Sequence, residues 1–107
     1  MTCYAVGLLH DVRMGPEIVA YLEAIDATLA PFDGRFLIHG GARDALEGEC
    51  DDDLIVIAFP DQAAAVAWYA SPSYRAILPL RLRNARGAVF LIEGVEDNHR
   101  ATDILLR

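Results

Sequence analysis

The chain has 107 residues, room for one domain and not for two. Nine arginines and no lysine stand against sixteen acids, giving a formal charge of −7 and a pI near 4.7. That balance excludes the cationic surface that nucleic-acid binding needs.

Other classes fall away on similar grounds. Cys3 and Cys50 fit neither a disulfide framework nor a metal pattern, so reduced thiols in the cytoplasm are expected. The start lacks the basic region of a signal peptide. No apolar run approaches the roughly 18 residues of a membrane span. Arg81 and Arg83 read as a solvated helix end.

Residues 2–10 mix apolar, aromatic and branched side chains and predict a strand. Gly15-Pro16 punctuates, with proline suited to a first helical turn and Glu17 to the positive end of the helix dipole. Ile18, Leu22, Ile25, Leu29 and Phe32 recur at helical spacing and predict one apolar stripe, closed by Pro31 and Gly34. Residues 34–39 predict a second strand, ended by Gly40-Gly41. Residues 42–53 are polar and acidic without periodicity and predict a loop.

Residues 54–59 are apolar on both alternating sets and predict a strand buried on both faces. Asp61 caps a helix over 62–70, and Ser71-Pro72 opens another segment, which Pro79 should kink or end. Residues 88–93 predict the last strand. Residues 1–95 thus form one domain, and residues 96–107 a polar C-terminal tail.

The order strand, helix, strand, strand, helix, strand is the split pattern of an α+β, ferredoxin-like βαββαβ fold. Right-handed crossovers put both helices on one face of a four-stranded antiparallel sheet. Both alternating sets are apolar, Leu54, Val56 and Ala58 against Ile55, Ile57 and Phe59 on one strand, and Val89 and Leu91 against Ala88, Phe90 and Ile92 on another, so whichever face the helices leave is apolar too. The hydrophobic fraction, 54% with a mean hydropathy of +0.26, is high for so small a chain and fits a covered surface. A second copy, sheet against sheet, would remove roughly 800 Å² per partner. At about 25 cal/mol per Å² the gross gain is on the order of tens of kcal/mol before association costs, so a homodimer is expected.

Four motifs in register carry a family resemblance. They are Gly34-Arg35-Phe36-Leu37-Ile38-His39-Gly40-Gly41, Leu46-Glu47-Gly48, the run from Ala67 through Trp68, Tyr69, Ala70, Ser71, Pro72 and Ser73 to Tyr74, and Leu91-Ile92-Glu93-Gly94. Together they resemble the domain-of-unknown-function family 1330 of the dimeric α/β-barrel superfamily, over residues 3–95. The resemblance implies a homodimer whose two sheets form a barrel-like core, and no particular activity. The wider superfamily includes cofactor-free monooxygenases, isomerases and dechlorinases, and stress-response proteins, an analogy of fold alone. Where relatives carry a tryptophan and a basic residue after Leu-Glu-Gly, this chain has Glu49, Cys50 and three aspartates.

His39 is the leading catalytic candidate. It ends a strand beside Gly40 and Gly41, whose missing side chains allow a ligand to approach the backbone, and an imidazole can act as acid or base. The structural alternative is a histidine hydrogen-bonded to a loop. Tyr69 and Tyr74 are candidate ligand contacts, or core packing. Arg75 could hold a carboxylate, or pair with a surface acid. Ser71 reads as a helix cap.

His10 and Asp11 are strand neighbours facing opposite ways and make no dyad, and His99 is expected in solvent. The acidic run 47–53 lacks the spacing of a calcium loop and reads as a solvated turn. Phosphate-loop, nucleophile-elbow and zinc patterns are absent, so no metal and no cofactor are expected. Two functions remain. One is a dimeric, cofactor-independent enzyme or binder acting on a small organic molecule in a cleft between sheet and helices. The other is a non-catalytic ligand-sensing or assembly module.

Overall fold

A computed structural model describes residues 1–106. The strands are β1 (Cys3–His10), β2 (Arg35–His39), β3 (Asp53–Phe59) and β4 (Arg86–Glu93). The helices are α1 (Pro16–Leu29), α2 (Gln62–Ala70) and α3 (Pro72–Leu82). Short 3₁₀ turns cover Ala30–Phe32 and Ala101–Leu106. All neighbours in the sheet are antiparallel, in the order β2-β3-β1-β4, with the helices on one face. The shortest extent of the Cα trace, 19 Å, is that of two layers.

Register fixes which side chains meet the helices. Cys3, Ala5 and Gly7 of β1 lie opposite Phe59, Ile57 and Ile55 of β3, and opposite Glu93, Leu91 and Val89 of β4. Cys3, Ala5, Ile57 and Phe59 are buried under α1, α2 and α3 with Ile25, Leu29, Ala65, Trp68 and Leu78. The intervening residues face away. One row crosses the whole sheet there as Ile38, Val56, Val6 and Phe90. No described helix covers that row, and Phe90 remains 41% exposed.

The buried stripe of α1 differs from the one spacing predicts. Ile18, Tyr21, Ile25, Thr28 and Leu29 are buried, whereas Leu22 is 39% exposed. The sequence 18, 21, 25, 28 also advances by three and four, and the sheet selects that face over its neighbour. Asp33, with φ 55°, reverses the chain after α1. Gly34 follows because a Cβ there would come within 2.7 Å of Phe59 and 2.8 Å of Leu29.

Pro79 does not end α3, which continues to Leu82. The bond it removes would have used the Arg75 carbonyl, and Arg75 is exposed, so water can serve that group. Residues 101–106 of the predicted polar tail form a 3₁₀ turn, capped by Asp103, which accepts from the Arg100 N–H at 3.0 Å.

Candidate functional site

A cavity of about 310 Å³ lies between the helix-facing side of the sheet and helices α1 and α3. Its lining is mostly aliphatic, with aromatic side chains from four elements, Tyr21 of α1, Phe36 of β2, Trp68 of α2 and Tyr74 of α3. Trp68 of α2 packs on Phe59 of β3, centroids 5.4 Å apart, and on Tyr74 of α3 at 4.1 Å. Tyr74 meets the Tyr21 ring of α1 edge-on at 6.2 Å.

The junction of α2 and α3 sets this arrangement. Ser71 ends one helix and caps the next. Its hydroxyl donates to the Trp68 carbonyl at 2.7 Å and accepts from the Tyr74 N–H at 3.3 Å. The Trp68 indole N–H is satisfied by Thr28 Oγ1 at 3.0 Å, and Thr28 donates in turn to the Ile25 carbonyl at 2.7 Å.

The polar part of the lining comes from α1 and α3. Tyr74, Leu78 and Arg81 are spaced by four and three, so they share the inner face of α3. The Tyr21 and Tyr74 hydroxyls are hydrogen-bonded at 2.8 Å. Arg81 lies beside both phenols and is only 8% exposed. This corrects the reading of Arg81 as a solvated helix end. Arg83 is exposed and bonds Glu17 of α1.

Burial, followed by the neighbouring Tyr74, pushes the Tyr21 phenol far above its ordinary value, so Tyr21 stays a neutral phenol. For Arg81, desolvation opposes the charge. The two phenol oxygens outweigh it, and the net direction is upward.

His39 reaches the cavity because β2 is irregular. In a regular strand residues 36 and 39 would face opposite sides. A bulge between Phe36 and Ile38 shifts the register, so Phe36 pairs with Ile57 and His39 with Ile55, both helix-facing. The two rings stack at 4.5 Å and 14°. Exposed lining residues, Met14, Leu22 and His39, mark where the cavity opens to solvent.

Among the sequence candidates, His39, Gly40 and Tyr74 line this cavity, and Tyr69, Arg75 and Gly41 do not. Tyr69 packs edge-on against Trp68, and the Arg75 guanidinium lies 5.3 Å from its ring centre on the surface, a cation–π contact. Gly40 adopts φ 67°, which favours glycine, whereas a side chain at Gly41 would meet open space. Sequence reasoning missed Tyr21 and Arg81. The signal for Tyr21 was the alternative stripe on α1. For Arg81 it was the spacing of seven from Tyr74, two turns along one face.

Elsewhere, His10 Nδ1 lies 3.4 Å from Asp52 Oδ1, across the chain from its neighbour Asp11. Arg43 donates to the carbonyls of Cys50 and Asp52 and gathers the acidic loop. Exposed His99 lies 3.8 Å from Asp103. Among the described residues no His, Cys, Asp and Glu side chains cluster in a group suited to a metal ion. No helix there is long and apolar enough to cross a membrane.

Comparison with known families decides the relationship. Residues 2–95 match the model of a domain of unknown function, DUF1330. The chain belongs to this family. A DUF1330 chain should share its fold with solved relatives, and it does. A protein of unknown function from Rhodopseudomonas palustris is 20% identical, with a TM-score of 0.65, over 89% of this chain and 83% of that one. A dimeric ferredoxin-like protein of unknown function from Jannaschia is 18% identical, with a TM-score of 0.62, over 88% of this chain and all of that one. SnoaB, a cofactor-independent oxygenase from Streptomyces nogalater, is 15% identical, with a TM-score of 0.62, over 92% and 98%. At these identities the likeness is one of fold. A comparison with curated proteins finds no significant match.

Proposed function

We propose that this DUF1330 protein is a homodimer that takes a small, largely apolar organic molecule into the cavity between sheet and helices, as a cofactor-independent enzyme or binder. The observation that carries this reading is the cavity itself. It is about 310 Å³ in volume, walled by aliphatic side chains and aromatic rings, and supplied with a hydroxyl pair, a buried guanidinium and an imidazole at the mouth. Apolar walls with a few convergent polar groups are what a small-molecule site requires. A module serving assembly alone would have no need to keep such a space open in a core this small.

His39 is the proposed acid or base, since it lines the cavity from the solvent side. Gly40 and Tyr74 are proposed ligand contacts. Tyr69, Arg75 and Gly41 lie outside the cavity lining and are not among these contacts. A cofactor-independent oxygenase among proteins of this fold is consistent with chemistry carried by side chains and substrate alone. The sheet face opposite the helices supports the homodimer, as does the dimeric Jannaschia protein of the same fold.

The test is native mass spectrometry of protein purified gently from its native host, paired with Gly7→Met. Gly7 lines the cavity, and a Cβ there meets neighbours only at 3.7 Å and beyond, so the longer side chain fills the space rather than the backbone. The wild type is expected to carry a small organic mass that the variant loses. Retention of that mass by Gly7→Met would remove the cavity from consideration. A clean wild type whose melting temperature shifts with none of a panel of small organic acids and alcohols would do the same.

A further inference from the structure

The donors and acceptors of the Tyr21–Tyr74–Arg81 group do not balance. Each phenol has one hydrogen to give. In the 2.8 Å bond between them one hydroxyl donates and the other accepts. The accepting hydroxyl keeps its own hydrogen. That hydrogen cannot turn to Arg81, because a guanidinium offers five N–H donors and no acceptor. Arg81 can only donate to the two phenol oxygens, and among the described residues no group accepts from the spare phenol hydrogen.

The charge is unbalanced as well. Arg81 is 8% exposed, yet the ion pairs among the described residues are His10–Asp52, Arg83–Glu17 and His99–Asp103, and none includes it. The acid in the cavity lining, Asp53, is exposed and does not pair with it. The last turn of α3, where Arg81 sits, offers only partial negative charge from its carbonyls. A buried cation without a carboxylate is costly, and a group of surplus donors around it lacks one thing, an anionic acceptor.

From this imbalance we infer that the ligand is an apolar molecule bearing a single anionic oxygen group, a carboxylate or an ionised enol or phenol, held by Arg81 and by a hydroxyl of the Tyr21–Tyr74 pair. The inference rests on the cavity reading above and narrows it to a substrate class. The aromatic wall of Trp68 and Tyr74 takes the apolar body. The guanidinium neutralises the head, and the free phenol hydrogen completes its coordination. The same three groups would hold negative charge that develops on a substrate oxygen when a neighbouring carbon loses a proton.

Isothermal titration with two probes of one shape separates the alternatives. Naphthoate carries the anionic head, and naphthylmethanol replaces it with a neutral hydroxyl. The wild type should bind naphthoate at least about tenfold more tightly, the effect of a charge-assisted hydrogen bond in a buried site. Arg81→Met keeps the length and apolar stem, and should reduce that preference to about unity while the alcohol still binds. Should Arg81→Met fail to fold, Tyr21→Phe tests the same point, since it removes a donor without changing the packing. It should weaken naphthoate more than the alcohol. Equal affinity of the wild type for both probes would overturn the anionic assignment and leave the cavity reading standing. Binding of neither probe would overturn both.

Discussion

Glu17 begins α1, and the far end of α3 holds it. Arg83 donates to its carboxylate, and Asn84 Nδ2 donates at 3.0 Å while also donating to the Leu80 carbonyl at 2.7 Å. The hydrogen bonds from Arg83 and then Asn84 lower the Glu17 carboxyl from its ordinary 4.5 to about 2. The folded chain therefore binds this proton less readily than the unfolded chain. The contribution of Glu17 to stability is complete above pH 4.5 and is lost as the pH falls towards about 2. The wild type should accordingly be more stable than Glu17→Gln above pH 4.5, and the gap should close on acidification towards about 2. Urea denaturation of both proteins across that range measures it. A gap independent of pH would show that the carboxylate is not held in this way.

The same scale shows what sequence can and cannot convey about a site. His39 and Tyr74 were legible because a histidine beside paired glycines and a tyrosine after a helix cap stand out by type and position. Arg81 was illegible because a cation in the last turn of a helix ordinarily lies in solvent, where it meets the helix dipole. Only the tertiary placement of α3 against α1 turns that face inward. Tyr21 was hidden by a choice between two adjacent apolar stripes, of which the sheet accepts one.

Among elements, the cap at Ser71 was plain in sequence, since serine before proline meets two separate demands of a helix start. Its full role was not. One hydroxyl closes α2 and opens α3, and so sets the angle at which Trp68 and Tyr74 meet. Ser71→Ala should cost about 1 kcal/mol, the usual worth of an N-cap, in urea denaturation. A loss indistinguishable from zero would show that the Tyr74 N–H and the Trp68 carbonyl find other partners equally well. The bulge in β2 lies at the opposite extreme. Nothing in the run Phe36-Leu37-Ile38 announces it, because all three side chains suit either face of a sheet. Yet this single irregularity brings His39 to the helix side. Pro79 misled for a related reason: the cost of a proline depends on whether the carbonyl it strands can reach water, which spacing does not reveal.

At the scale of the whole molecule, the strand alternation that was readable in sequence becomes a surface. The row Ile38, Val56, Val6 and Phe90 spans all four strands. Beside it Tyr4, Ala58 and Ile92 form a second row, which Arg35 ends, and Leu54, Leu8 and Ala88 a third. An apolar sheet face of this extent is unusual in a monomer. The proposed sheet-to-sheet pairing makes a sharp prediction at its centre. Val56 pairs with Val6 on one side and Ile38 on the other, so an aspartate there would sit in the driest part of the interface. Twofold symmetry would place two such charges in each dimer, at a cost of several kcal/mol apiece. The cavity lies on the other side of the sheet and keeps its lining. Native mass spectrometry should find the wild type near twice 11.7 kDa and Val56→Asp near 11.7 kDa. A wild-type monomer at micromolar concentration would refute the dimer. A Val56→Asp dimer would refute the sheet-to-sheet interface.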